Sequence, residues 1–154
     1  MTVVSGGQTG VDRAAFDAAL ELGLEIGGWV PKGRVAEDGV IPAKYVGLRE
    51  TASSEPAERT ILNVRDSDAT LIVSRGALAG GTLLTFEAAM RLGRPVLHLD
   101  LTDKLDTGAA SEVRMWLARV RPNIINVAGP RGSEDPTIGA RSLAVLREAL
   151  PHSD

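Results

Sequence analysis

The sequence contains no cysteine and few aromatic residues, with two Trp, two Phe and one Tyr among 154 residues. The absence of cysteine excludes a disulfide scaffold, a thiolate metal site, an iron–sulfur cluster and a cysteine nucleophile. The scarcity of aromatic rings argues against a surface that stacks nucleic-acid bases. The formal net charge of −3 provides no basic field that would attract nucleic acid. We therefore expect no nucleic-acid partner and no protein-ligated metal.

Long hydrophobic runs are absent as well. No apolar stretch approaches the roughly 18 residues that a membrane span needs. Only Val3 and Val4 precede the first glycines, which does not match a signal peptide. Hydrophobic residues nevertheless make up 44% of the chain, enough to bury one core and to exclude disorder as the main state. We expect a cytoplasmic protein without membrane contact, folded as a single domain over residues 1–154 with its core in about 2–150.

Apolar segments typical of strands alternate with amphipathic segments typical of helices. Residues 69–74 form a continuous apolar run, which is typical of a strand buried on both faces. Further strands are predicted at 2–5, 24–30, 95–101 and 123–128, and helices at 11–22, 56–66, 80–93, 111–121 and 136–150. Residues 31–54 show neither period and are interpreted as a long loop that is functional or mobile. The alternation predicts an α/β fold with about five parallel strands between two layers of helices.

Two predicted helices begin with capping signals. Thr9 and Asp12 have the spacing of a capping box, which predicts that the first helix starts at residue 10 or 11. Asp135 and Pro136 have the residue types of an N-cap and a first helical position, which predicts the start of the last helix. Both helices would therefore begin directly after glycine-rich loops.

Three glycine-rich loops follow predicted strands, at residues 5–10, 80–82 and 129–136. Because the carboxyl ends of parallel strands lie at one edge of a sheet, these loops would meet there. Ligands of such folds bind at this edge, where the strand order reverses. The sequence thus predicts one candidate site built from all three loops.

The first two loops have the features of an anion-binding site. Their glycines let the backbone approach a ligand closely, and the helix after each loop offers unpaired N–H groups. Arg13, in the first turn of its helix, adds a forked donor. Walker A and complete GxGxxG patterns are missing, and each loop alone could be a tight strand–helix turn. Together they predict a phosphate-bearing, nucleotide-like small molecule. The loop residues of this candidate site are Gly6, Gly7, Gln8, Thr9, Gly10, Gly80, Gly81 and Thr82.

Several other charged residues have two interpretations each. Lys32 and Arg34 would contact anionic groups of the ligand or belong to a solvated charged loop. Arg131, in the third loop, is a further candidate contact. Glu87 is the carboxylate close to a phosphate loop; it would act as a general base or glycosyl-cation stabiliser, or face solvent. His98 lies mid-strand in a structural position, and no Ser-His-Asp set or zinc-ligand spacing can be assembled.

Five segments form a recognisable series. They are SGGQTGVDRAAFDAAL, GGWVPKGRVAEDGVIP, ERTILNVRDSDATLIV, GGTLLTFEAA and NVAGPRGS. In this order, over about residues 4–147, they resemble the molybdenum cofactor carrier protein family; GGQTGVDR and the PKGR–AEDG loop are the most specific parts. The resemblance implies a Rossmann-like fold and a homo-oligomer, either a homotetramer or a homodimer. It further implies that the chain binds molybdopterin, protects it and delivers it to molybdenum enzymes.

This family is related to the cytokinin-activating phosphoribohydrolases, formerly called lysine-decarboxylase-like proteins, which cleave nucleoside 5′-monophosphates at the N-glycosidic bond. Their PGGxGTxxE motif has a glutamate three residues after the threonine. Here Thr85 stands at that position, and Glu87 lies two residues further, about 200° around a helix. The resemblance therefore favours a binder without catalysis. A phosphoribohydrolase and a nucleotide-sensing binding module remain the alternatives.

The resemblance also assigns parts of the cofactor to residues of this chain. The phosphate would contact the backbone of residues 6–10 and 80–82 and the guanidinium of Arg13. The metal-bound oxo end would contact Lys32, Arg34, Ser74 or Thr85. Because the chain has no cysteine, it would recognise the cofactor through hydrogen bonds and not through a thiolate–metal bond. Such contacts suit a carrier that must later release its cargo.

Overall fold

A computed structural model describes residues 1–153. In these residues, helices and strands alternate along the chain as the sequence predicts, except between residues 25 and 50, where four strands follow one another. The strands are β1 (Thr2–Val4), β2 (Glu25–Val30), β3 (Val35–Ala36), β4 (Gly39–Val40), β5 (Leu48–Glu50), β6 (Ala69–Ser74), β7 (Val96–Asp100) and β8 (Ile124–Ala128). The helices are α1 (Val11–Glu21), α2 (Pro56–Arg65), α3 (Gly80–Arg91), α4 (Asp106–Val120) and α5 (Ile138–Ala149).

Six of the strands form one sheet in the order β5-β2-β1-β8-β6-β7, and all neighbouring pairs are parallel. This confirms the predicted Rossmann-like α/β fold. The prediction of about five strands missed β5, which lies in the segment that we expected to be irregular. Its three residues are half-buried or exposed, so they show no apolar run. The same segment also contains the β3–β4 hairpin.

The strand order becomes consecutive when it is counted from β8. If β8 is counted as the first strand, the chain order becomes β8, β1, β2, β5, β6, β7. The first four of these strands lie side by side, from β8 to the edge strand β5. The last two lie on the other side of β8. The order therefore reverses between β8 and β6, and the crevice above their carboxyl ends is the expected place for a ligand.

The two faces of the sheet carry unequal hydrophobic cores. Helices α1, α4 and α5 enclose the larger core, which includes Leu71, Val73 and Ile125 from the strands. Helices α2 and α3 cover the other face with a small cluster of Val64, Ala88 and Ala89. None of the helices within residues 1–153 has the length and apolar character that crossing a bilayer requires.

The first helix starts at Val11, as predicted, but its predicted cap is wrong, and so are two other helix starts. Gly10 is the N-cap of α1, and no side chain caps that helix, so Thr9 and Asp12 do not form a capping box. The start predicted for the last helix at residues 135–136 is two residues early, because its N-cap is Thr137 and the Asp135 carboxylate accepts the Thr137 N–H at 3.3 Å. Helix α4 begins five residues before the predicted start at residue 111, in a first turn that lacks an apolar period.

Candidate functional site

A cavity of about 380 Å³ opens at the carboxyl edge of the sheet. Its walls come from the β1–α1 loop, the first turns of α2 and α3, and the loop after β8. The lining residues are Gln8, Asp12, Glu55, Pro56, Ala57, Arg59, Thr60, Gly80, Gly81, Thr82, Leu84, Thr85, Ala128, Gly129, Arg131 and Glu134. The volume falls within the roughly 300–1,000 Å³ of small-molecule sites, and the position agrees with the reversal of strand order.

The N-terminus of α3 presents free backbone donors to this cavity. Among residues 1–153, the N–H groups of Gly80, Gly81 and Thr82 have no hydrogen-bond partner, and no side chain caps the helix. No atom lies within 4 Å of the position that a Cβ would take on Gly80 or Gly81, so the approach is open. A helix N-terminus of this kind binds anions through its N–H groups and its partial positive charge.

The β1–α1 loop differs, because three backbone donors between it and the start of α1, the N–H groups of Gln8, Thr9 and Val11, are already paired. The Asp12 carboxylate accepts the Gln8 N–H at 3.1 Å, and the Gln8 side-chain oxygen accepts the Thr9 N–H at 3.0 Å. The Val11 N–H donates to the Pro130 carbonyl at 3.3 Å. Within this loop Gln8 lines the cavity, whereas residues 6, 7, 9 and 10 do not.

The cations predicted from the first loop and the long loop lie outside the cavity lining. Arg13 donates to both carboxylate oxygens of Asp38, at 2.5 and 2.7 Å, which lowers the pKa of Asp38. Arg34 donates to the backbone carbonyls of residues 41, 42 and 45. Lys32 is exposed. In the structure, Arg13 and Arg34 hold the β3–β4 hairpin in place.

Glu37, at the turn of that hairpin, joins two of the glycine-rich loops. Its carboxylate accepts the Thr9 hydroxyl from the first loop, and the Ser133 N–H at 3.1 Å and hydroxyl at 2.5 Å from the third. These donors, with Arg131 at 3.4 Å, lower the pKa of Glu37. The hairpin therefore acts as a brace that fixes both loops beside the cavity.

Arg59 is a cavity residue that the sequence analysis missed. Its guanidinium lies across Gly6, where an added Cβ would come within 2.5 Å of Nη1. Nη1 donates to the Thr60 hydroxyl at 3.1 Å, whereas the buried Nε has no partner within residues 1–153. Within residues 1–153 no carboxylate lies within ion-pair distance of this guanidinium, so an arginine in the cavity wall keeps a charge that is suited to an anionic ligand. In the sequence it resembles any helix-surface arginine, because only the contact with Gly6 distinguishes it.

Asp12 is the buried carboxylate of the same wall, with 4% of its surface exposed. Burial raises its pKa, and the attraction of Arg59 is the largest effect that opposes this rise. The sequence analysis treated Asp12 as a capping residue and so did not predict this pairing of charges.

A second cavity, of about 170 Å³, lies between the loops after β6 and β8 and shares Thr82 and Glu134 with the first. Ser74 lines it, with its hydroxyl 2.7 Å from His98 Nε2. Arg75 and Asp135 pair across it at 2.8 and 2.5 Å. The two cavities therefore flank the first turn of α3.

Two further predicted residues lie on α3 itself. Thr85 lines the first cavity and donates its hydroxyl to the Gly81 carbonyl at 2.8 Å. Glu87 is exposed and belongs to neither cavity lining. Within the described residues, no group of three or more His, Asp or Glu side chains is arranged to hold a metal ion.

Comparison with known proteins agrees with this topology. The model of the circularly permutated YpsA SLOG family matches residues 3–150. The chain belongs to this family. The name fits the strand order, because counting from β8 restores the consecutive order of a doubly wound sheet.

A solved structure is similar to this chain over nearly its full length. The protein named "putative molybdenum carrier protein" from Syntrophus aciditrophicus SB is 43% identical in sequence, with a TM-score of 0.93. The alignment covers 97% of this chain and 94% of that chain. The resemblance recognised in the sequence is thereby confirmed. No protein with a curated description matches the chain.

Proposed function

We propose that this protein binds molybdenum cofactor as cargo in the cavity at the carboxyl edge of the sheet, protects it and delivers it, without catalysis. The observation that supports this most is that the free N–H groups at the N-terminus of α3 and the guanidinium of Arg59 belong to residues that line the same cavity. The name of the 43% identical relative agrees with the proposal. Following the family resemblance, we also propose that the protein is a cytoplasmic homotetramer or homodimer. Molybdenum enzymes would receive the cofactor from it.

In this proposal the terminal phosphate of molybdopterin binds Gly80, Gly81, Thr82 and Arg59. These groups supply backbone donors, a helix dipole and one fixed positive charge, which is the chemistry that phosphate prefers. The metal-bound oxo end occupies the adjoining cavity of about 170 Å³, near Ser74, or faces Thr85 in the first cavity. Lys32 and Arg34 would reach the cargo only if the hairpin moved.

The phosphoribohydrolase alternative needs a carboxylate beside the phosphate site on α3. Thr85 occupies the position of the family glutamate, and the Glu87 side chain is exposed outside the cavity. This arrangement favours a binding protein over a hydrolase that uses Glu87.

Anaerobic equilibrium titration with isolated molybdenum cofactor, and separately with AMP, tests the proposal. We expect one cofactor per subunit, recovered unchanged after release of the ligand, and no adenine liberated from AMP. Preference for AMP without cleavage would instead indicate a nucleotide-binding module. Release of adenine would show that the protein is an enzyme and would contradict the proposal.

A further inference from the structure

Arg59 and Asp12 carry opposite charges and both line the cavity at the carboxyl edge of the sheet. Asp12 is almost completely buried, whereas Arg59 retains an unsatisfied Nε donor. We propose that Arg59 binds an anionic group of the ligand, and that Asp12 takes up one proton from solution as this occurs. The inference rests on the proposed function only in that the cargo supplies the anion.

Arg59 is the cation of this region that is available to a ligand. Arg13 is bound to both oxygens of Asp38, and Arg34 is bound to three backbone carbonyls. Arg131 pairs with Glu37 and Glu134, each at 3.4 Å. Arg59 by contrast makes one side-chain hydrogen bond, to its neighbour Thr60. A tetrahedral oxoanion on Arg59 would therefore displace no carboxylate that is hydrogen-bonded to it.

Asp12 depends on Arg59 for compensation of its charge. Two cations act on its carboxylate, Arg59 from α2 and Arg13 from its own helix, and Arg13 is already committed to Asp38. The Gln8 N–H donates to the carboxylate at 3.1 Å, whereas the Ser5 hydroxyl donates to the Val127 carbonyl at 2.6 Å. Burial raises the pKa of Asp12, so the loss of compensation by Arg59 would raise it further.

The proton balance follows from these positions. When an anion neutralises Arg59, the buried carboxylate of Asp12 loses its principal counter-charge and binds one proton from water. No bond in the ligand is made or broken. By linkage, proton uptake on binding makes the affinity higher at low pH. Affinity then falls by up to about tenfold for each pH unit between the pKa of free and of ligand-bound Asp12.

Sulfate is a suitable probe, because it remains a tetrahedral dianion across the relevant pH range. We expect the dissociation constant of sulfate to increase with pH in the native protein, over the range in which Asp12 loses its proton. In Asp12→Asn, binding should persist and the pH dependence should disappear, which would assign the pH dependence to Asp12. Arg59→Gln should weaken binding at least about tenfold at every pH. The control Arg65→Gln, on the exposed side of the same helix, should match the native protein.

A measurement on the unsubstituted protein covers the case in which Asp12→Asn does not fold. Addition of sulfate should shift the NMR resonance of Arg59 Nε–H and move the Asp12 carboxyl carbon toward its protonated position. Unchanged resonances, or a pH dependence that survives in Asp12→Asn, would overturn the inference. If cofactor binds but sulfate does not, Arg59 is not the anion site and the carrier function stands. If sulfate binds as expected but cofactor does not, the inference stands and the carrier function fails.

Discussion

Replacing Gly81 by aspartate is expected to weaken binding of a phosphate-bearing ligand at least about 100-fold while leaving the protein folded. The new carboxylate would stand at the N-terminus of α3, where it would occupy the free N–H groups and repel the anion. Like charges ~4 Å apart cost about 4 kcal/mol at an effective dielectric constant of roughly 20. Because no atom lies within 4 Å of the Cβ position, the side chain fits. A carboxylate at a helix N-terminus should stabilise the fold by about 0.3–1 kcal/mol.

Gly108→Asp provides the matched control. Gly108 lies in the first turn of α4, also with no atom within 4 Å of its Cβ position, and lines neither cavity of the candidate site. The Gly108→Asp substitution adds the same charge away from the site. The affinity for the phosphate-bearing ligand, measured by calorimetry, should therefore remain at the native value. If Gly81→Asp also binds like the native protein, with both variants stable in urea, then the N-terminus of α3 is not the anion site.

Replacing Gly10 by alanine is expected to destabilise the fold by about 2–6 kcal/mol. Gly10 has φ +79°, a left-handed conformation that alanine adopts only with strain. Its Cβ would overlap the Pro130 carbonyl oxygen and approach the backbone of Arg131 and Gly132 to 2.9 Å. Because these atoms belong to a loop that Glu37 also holds, they cannot move away freely. Urea unfolding measures the loss.

Gly93→Ala distinguishes the cost of backbone strain at a positive φ from the cost of steric overlap by the added methyl group. Gly93 also has a positive φ, +65°, but no atom lies within 4 Å of its Cβ position. Its replacement should therefore cost only the backbone term, about 1–3 kcal/mol. Equal losses in the two variants would show that the loop after β8 yields to the new methyl group, and that the packing of the glycine-rich loops is not rigid.

Much of the fold was predictable because hydrophobic burial leaves a local pattern. All six residues of β6 are buried, and its continuous apolar run indicates a central strand. The edge strand β5 has no such pattern, because its pairing with β2 rests on backbone hydrogen bonds that any residues can make. Helix α4 was predicted too short because the residues of its first turn, Thr107 and Gly108, are exposed and have low helix propensity.

The candidate site was less predictable, since its chemistry depends on distant contacts. Glycine-rich sequence was equally consistent with free and with paired N–H groups. In the structure the α3 groups are free, whereas the N–H groups of Gln8, Thr9 and Val11 are paired with Asp12, Gln8 and Pro130 respectively. Arg13 and Arg34 have side chains that could bind an anion, but in the structure they donate to the Asp38 carboxylate and to backbone carbonyls. Arg59 has no local signal, because its position depends on a contact with Gly6, more than fifty residues earlier.

The most direct test of the carrier function is native mass spectrometry of the protein purified without oxygen from molybdate-supplied cells. We expect each subunit to carry an added mass equal to molybdopterin or its molybdenum complex, and the intact assembly to give the oligomeric state. Collisional release should return that mass as a single intact molecule. A nucleotide bound in its place would contradict the proposal that molybdenum cofactor is the cargo.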